Sequence, residues 1–258
     1  MFKTLLKPFQ KFLQLQASGS ILLLLSAVAA LLWANSPYSG SYQAFWETPL
    51  RLGLGAWQFS QSLHFWINDG LMTVFFFLVG LEIKRELIVG ELSSPRQASL
   101  PIIGAIGGIL VPALAYLVFN PPGSAFNSGW GIPTVTDIAF VISALAILGD
   151  RIPVGLKVFL IALAIVDDIG AILIIALFYS QGVQPLFLLA AGAILAVLFG
   201  MNRAGIDRPW PYAVLGLFLW IAVLNSGIHP TIAGVLLAFT VPSFSKIDPA
   251  AFYRESSN

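Results

Sequence analysis

The sequence predicts an all-α integral membrane protein of about eight transmembrane helices, the fourth broken inside the membrane, with a short β-hairpin outside it. Three observations carry that prediction. Of 258 residues, 58% are apolar and 10% are charged, with a mean hydropathy of +0.88, where a soluble domain carries about 25% charged residues. The apolar runs are continuous and rich in Leu, Ala and Ile, unlike the ~10-residue alternating segments of an outer-membrane barrel. One of those runs, LIALAIVDDIGAILIIALF over 160–178, is long enough to span and holds two carboxylates near its middle.

Taken in order, the chain reads as one membrane domain over 1–258. Residues 1–15 alternate Lys3, Lys7 and Lys11 with Phe and Leu, an interfacial lead-in to a first span near 17–33. Residues 35–61 are polar and aromatic and read as a loop outside the membrane. Two short runs, 44–50 and 56–60, flank Gly53 and Gly55 there. They suggest a hairpin whose open edge can pair with a second copy; a plain surface loop is the other reading. The second span covers 63–87. The third covers 98–119, with the close-packing stretch GAIGG at 104–108.

The fourth segment starts at Trp130 and reads WGIPTVTDIAFVISALAIL. Pro133 interrupts a helix, Thr134, Val135 and Thr136 favour extended backbone, and Asp137 opens a new helical run. Two half-helices joined inside a membrane require protein or a watery cavity to satisfy the freed backbone groups. The fifth span holds the aspartate pair. The sixth, seventh and eighth fall near 185–199, 211–224 and 229–241, and the tail from 242 is polar.

With eight spans and the N-terminus inside, twelve of the 13 Lys and Arg residues fall on one side and only Arg51 on the other. The positive-inside rule therefore places both termini in the cytoplasm. The chain has no Cys, so no disulfide framework or thiolate metal site. A net charge of +1 gives no basis for a nucleic-acid partner.

An ionisable side chain at mid-bilayer costs roughly +2.5 to +3.5 kcal/mol on insertion scales and marks an ion path more often than not. Asp137, Asp167 and Asp168 are three such residues. Neighbouring helical positions point about 100° apart, so Asp167 and Asp168 serve different directions. Na⁺ requires oxygen ligands; Asp168, Asp137, the Thr136 hydroxyl and the carbonyls around Val135 are the candidates. Burial and mutual repulsion favour a protonated carboxyl, so a proton and a cation would compete for the same oxygens. The plainer reading is that these aspartates only hydrogen-bond between helices. Glu82, Lys84, Arg85 and Glu86 read either as a solvated helix end or as a pH-responsive cluster. Asp69 is an interfacial or functional acid. His229 is a structural residue or one that titrates near neutrality.

The runs WINDGLMTVFFFLVGLEIKREL, IPTVTDIAFVISALAILG, KVFLIALAIVDDIGAILIIALFY and SGIHPTIAGVLLAF resemble NhaA-type sodium/proton antiporters along the whole chain. That family is itself a worked example of the inverted-repeat transporters. The resemblance implies that Asp167 and Asp168 form the Na⁺ and proton site, with Asp137 and Thr136 at the crossing of broken helices. It assigns Glu82, Arg85, Glu86 and His229 to pH response, and the hairpin at 47–58 to a homodimer. It further implies export of Na⁺ or Li⁺ against H⁺ across the bacterial inner membrane, with no cofactor. The chain matches the first eight spans of that family and stops where four more follow. The expectation is therefore a truncated inverted-repeat fold without the second broken helix and the membrane lysine that faces Asp167, and weak transport unless a C-terminal partner supplies them. The alternatives are an inactive or partner-dependent fragment, an intramembrane aspartyl protease and a passive cation channel. The protease is disfavoured because its two aspartates would sit on different helices.

Overall fold

The computed structural model describes residues 22–54, 57–136, 151–179 and 182–242, together with Gly19, Val141, Leu145 and Leu148. The lead-in at 1–15, Asp137 and the tail from 243 lie outside the described residues. The first helix, α1 (Leu22–Ala34), turns by 119° into α2 (Ser39–Trp46). The indole N–H of Trp33 fastens the corner by donating to Ser41 Oγ at 2.9 Å. The polar 35–61 stretch thus contains a helix, where the sequence suggested loop and strand from 44 onward. Its aromatic residues Tyr42, Phe45 and Trp46 stack in edge-to-face pairs, which favours the helix locally.

The hairpin follows as β1 (Pro49–Leu54) and β2 (Trp57–Ser62), antiparallel, with Pro49 opposite Ser62 and Leu54 opposite Trp57. Ser62 then starts the next helix, its hydroxyl accepting from the Phe65 N–H at 3.2 Å. A short α-turn (Leu63–Phe65) passes into a π-helical turn (Trp66–Leu71) and then α3 (Met72–Val89). Two side-chain donors account for the wide turn. Thr73 Oγ1 donates to the Asp69 carbonyl at 2.6 Å and Trp220 Nε1 donates to the same oxygen at 2.7 Å. Such π-turns gather at functional sites.

Next come α4 (Pro95–Phe119), a 3-10 segment (Asn127–Thr134), α5 (Val154–Phe178), α6 (Pro185–Arg203), α7 (Pro209–Ser226) and α8 (Ile232–Thr240). Proline opens α4, α6 and α7, where its missing N–H costs nothing. Gly227 ends α7 in the left-handed conformation, φ 83°, that other residues adopt at a cost. Among the described residues, four helices are long and apolar enough to cross a membrane, and five if the bent pair α1 and α2 is one span. Of the other expected spans, α3 carries Glu82, Lys84, Arg85 and Glu86 near its end. Helix α8 has nine residues, too few for a ~30 Å core.

Packing joins these helices in two groups. Helices α6, α7 and α8 share a core of Leu198, Leu219, Val223 and Ala233, and α3 lies along α8. Glycines set that second contact. A Cβ on Gly80 would come 2.7 Å from Ala238 Cβ, and one on Gly234 would strike the Thr73 carbonyl. At the far end, Lys84 Nζ donates to the carbonyls of Phe239 (2.9 Å) and Val241 (2.6 Å), and Asn202 Nδ2 donates to Thr240 O at 2.6 Å. Three successive carbonyls ending α8 are thus covered by α3 and α6, a cation among the donors. The other group is α4, the 3-10 segment and α5. Gly104 of the GAIGG stretch meets Leu163 of α5, while Gly107 and Gly108 face open space. Val79 and Ile83 of α3 pack with Ile165 of α5 and join the two groups.

Candidate functional site

Asp167 and Asp168 sit in the middle of α5 and both are buried, at 2% and 7% exposure. Burial of a carboxylate is costly unless polar groups compensate it. On this helix the surroundings are apolar: Ala164, Ile165 and Ala171 are buried on either side. What reaches Asp167 is the broken segment. Pro133 and Thr134 remain in the 3-10 turn, and Val135 then leaves it with φ −107° and ψ 130°. The interruption thus falls one residue past Thr134 rather than at Pro133, because a 3-10 turn accommodates proline's fixed φ. Leaving the helix frees the Thr136 backbone N–H, which donates to Asp167 Oδ2 at 2.8 Å.

The sequence expectation gives Thr136 a ligating hydroxyl beside Asp168, and the geometry adds a contact which that expectation does not contain. The structure joins Thr136 to Asp167, and through its backbone. The extended conformation makes that N–H available, which side-chain chemistry does not signal. Asp137, the third carboxylate of the expected set, lies outside the described residues. Among the described residues no three His, Asp or Glu side chains converge as a metal cluster would.

The 3-10 segment itself is clamped by groups that sequence reasoning missed. Tyr179 Oη donates to Ser128 O at 2.7 Å and accepts from Gly131 N–H at 3.3 Å. Thr134, 3% exposed, donates from Oγ1 to Gly131 O at 2.7 Å. Tyr116 of α4 donates to Phe126 O at 2.8 Å. A hydroxyl-bearing aromatic at the end of an apolar run was the available signal, and it is common enough at membrane interfaces to carry little weight alone.

Asp69 and His229 are brought together, near enough to interact electrostatically, with His64 also within range of Asp69. Thr231 Oγ1 lies 3.1 Å from His229 Nδ1 and steadies the ring. Glu82, Arg85 and Glu86 form a chain of ion pairs at the other end of α3, at 3.3 and 3.8 Å. The Arg85 side chain is 65% exposed, so such pairs are worth ~0–1 kcal/mol. A cavity of ≈ 500 Å³ lies among α3, α7 and α8, lined by Gly70, Phe77, Gly216, Trp220 and Leu237 among others. Among the described residues no acidic side chain lines it.

Comparison with known proteins identifies the family. The family model described as Na+/H+ antiporter 1 matches residues 10–256. The Na(+)/H(+) antiporter NhaA of Oleidesulfovibrio alaskensis is 54% identical over 246 residues, 95% of this chain and 54% of the relative. That of Koribacter versatilis is 51% identical over 252 residues, 98% of this chain and 55% of the relative. That of Shewanella baltica is 52% identical over 240 residues, 93% of this chain and 62% of the relative. The chain therefore spans a little over half the length of the curated relatives it matches. Two buried aspartates on a membrane-length helix, a broken segment delivering a backbone donor to one of them, and a family match over nearly all residues lead to one conclusion: the chain belongs to the Na+/H+ antiporter 1 family.

Proposed function

We propose that the protein exchanges Na⁺, and Li⁺, for H⁺ by competition at Asp167 and Asp168, across a bacterial inner membrane. The observation that carries this reading is a pair of adjacent buried carboxylates, one of which, Asp167, accepts from the non-helical backbone N–H of Thr136. A carboxylate takes an N–H, a proton or a cation on the same oxygen lone pairs, so an arriving ion can replace the Thr136 hydrogen bond. Sodium neutralises the acid through oxygen coordination; a proton neutralises it covalently. Either satisfies the burial cost, and both at once on the same oxygens do not. One ion therefore leaves as the other arrives. Asp137, three positions after Thr134, would add a third carboxylate to the same region.

Charged groups at the two ends of α3 carry the remaining roles in this reading. Asp69 and His229 lie within electrostatic range of each other at one end of the α3–α8 pair, and the Glu82–Arg85–Glu86 chain lies at the other. We assign His229 and the latter three to pH response, because a charged cluster on the helix that packs against Ile165 can couple its protonation to α5. Lys84, Arg85 and Arg203 gather at that same end, in keeping with a cytoplasmic side. The paired strands at 49–62 offer an open edge for a homodimer, and the outward Ile103, Val111 and Val118 of α4 suit contact with lipid or further helices.

The test is Na⁺-induced collapse of a pH gradient in vesicles. Activity that Asp168→Asn abolishes supports the exchange; undiminished exchange in that variant overturns it.

A further inference from the structure

We infer that Tyr179 is a positioning residue for the ion site, holding the 127–136 segment against α5 so that Asp167 can let go of it without freeing it. The inference rests on the exchange proposed above. The 3-10 segment runs eight residues, from Asn127 to Thr134, longer than the three or four that its poor hydrogen-bond geometry ordinarily sustains. Its position must come from outside, and α5 with the residue that caps it supplies two fastenings. One is the Tyr179 hydroxyl, bonded to Ser128 O at 2.7 Å and Gly131 N–H at 3.3 Å. The other is Asp167, on Thr136 N–H at 2.8 Å. They lie twelve residues apart, about 18 Å along a helix.

The contact at Tyr179 is close. A Cβ on Gly131 would lie 2.8 Å from Tyr179 Oη and 3.2 Å from its Cε2. Trp130 meets Phe178 edge to face with ring centroids 5.0 Å apart. From this clamp the buried Thr134 hydroxyl, bonded to Gly131 O, carries the constraint on to the break at Val135.

The two fastenings differ in kind. Asp167 exchanges its hydrogen bond for a cation or proton during each cycle, whereas Tyr179 takes part in neither binding step. When Asp167 lets go, the Tyr179 clamp keeps the backbone of 134–136 where the next ion finds it. Loss of the clamp therefore weakens Na⁺ binding more than it slows turnover.

The experiment is antiport by the full-length protein in vesicles, measured across a Na⁺ series. Tyr179→Phe removes both hydrogen bonds and is expected to raise the apparent KM for Na⁺ about five- to tenfold while the maximal rate stays close to wild type. Gly131→Ala, which crowds the hydroxyl from the other side, is expected to act in the same direction. In the double variant the clash with Oη is gone, so the combined effect should fall below the product of the two. An unchanged KM in Tyr179→Phe overturns the inference, whether or not the amount of protein falls, and so do effects that simply multiply. Asp167→Asn in the same vesicles separates the layers. If it abolishes exchange while Tyr179→Phe leaves KM alone, only the positioning role fails. If exchange survives it, the aspartate reading fails first.

Discussion

The ammonium nitrogen of Lys84 lies 2.6 Å from the carbonyl oxygen of Val241, and it holds the carbonyl of Phe239 as well. A lysine on one helix thus finds its counter-charge in the end of another, where unsatisfied carbonyls carry about half a negative charge. Replacing Lys84 with Met keeps the stem and removes the donors. The expected cost is about 1.5–3 kcal/mol, the range for a hydrogen bond to a charged group. It is read as a lower midpoint of thermal unfolding in detergent. A midpoint equal to wild type would show that the contact carries no stability.

Gly234 and Gly107 form a matched pair for a second test. Gly234 faces the Thr73 carbonyl of α3 with no room for a methyl group, while Gly107 has nothing within 4 Å of a would-be Cβ. Gly234→Ala is expected to cost about 1–3 kcal/mol by overpacking, and Gly107→Ala to be neutral or slightly stabilising in a helix. Thermal unfolding of the two variants side by side checks the contrast; equal effects would contradict the α3–α8 packing.

Trp220 and Thr73 share the Asp69 carbonyl, and they account for the π-turn at 66–71. Trp220→Phe keeps an aromatic ring and deletes one donor, at an expected cost of about 1 kcal/mol. Amide hydrogen exchange should quicken at 66–72 more than along the rest of α3. Uniform exchange along the helix would dissociate the indole from the turn.

Salt should separate the two kinds of charge at the same end of α3. The Glu82–Arg85 pair is exposed and screened, so Arg85→Gln is expected to shift stability by at most about 1 kcal/mol, and less at high ionic strength. The Lys84 contact, half-buried and made to backbone carbonyls, should keep its effect in salt. Thermal midpoints at low and high NaCl distinguish them.

Asp167 and Asp168 were legible in the sequence because hydrocarbon penalises charge, so two adjacent acids inside an apolar run stand out at once. The turn to extended backbone after Pro133 was legible too, since a proline followed by β-branched residues cannot continue a helix easily. The partners of these groups were harder to see. Thr136 contributes through its N–H, a group every non-proline residue has. Tyr179, Lys84 and Asn202 act across 48, 157 and 38 positions of chain. No local pattern encodes which carbonyl such side chains will meet. The helix Ser39–Trp46 was hidden because its turn-forming Ser and Gly residues mask an aromatic stripe.

The central claim is that sodium and a proton contend for the same carboxylate oxygens on α5. Its most direct measurement is the equilibrium affinity for Na⁺ as a function of pH, by calorimetry on the purified protein, with Asp168→Asn as the control. The expected result is an apparent Kd that rises about tenfold for each unit of falling pH per proton displaced, below the pH at which the site titrates, and no Na⁺ binding in the control. A Kd independent of pH in a protein that still binds Na⁺ would contradict it.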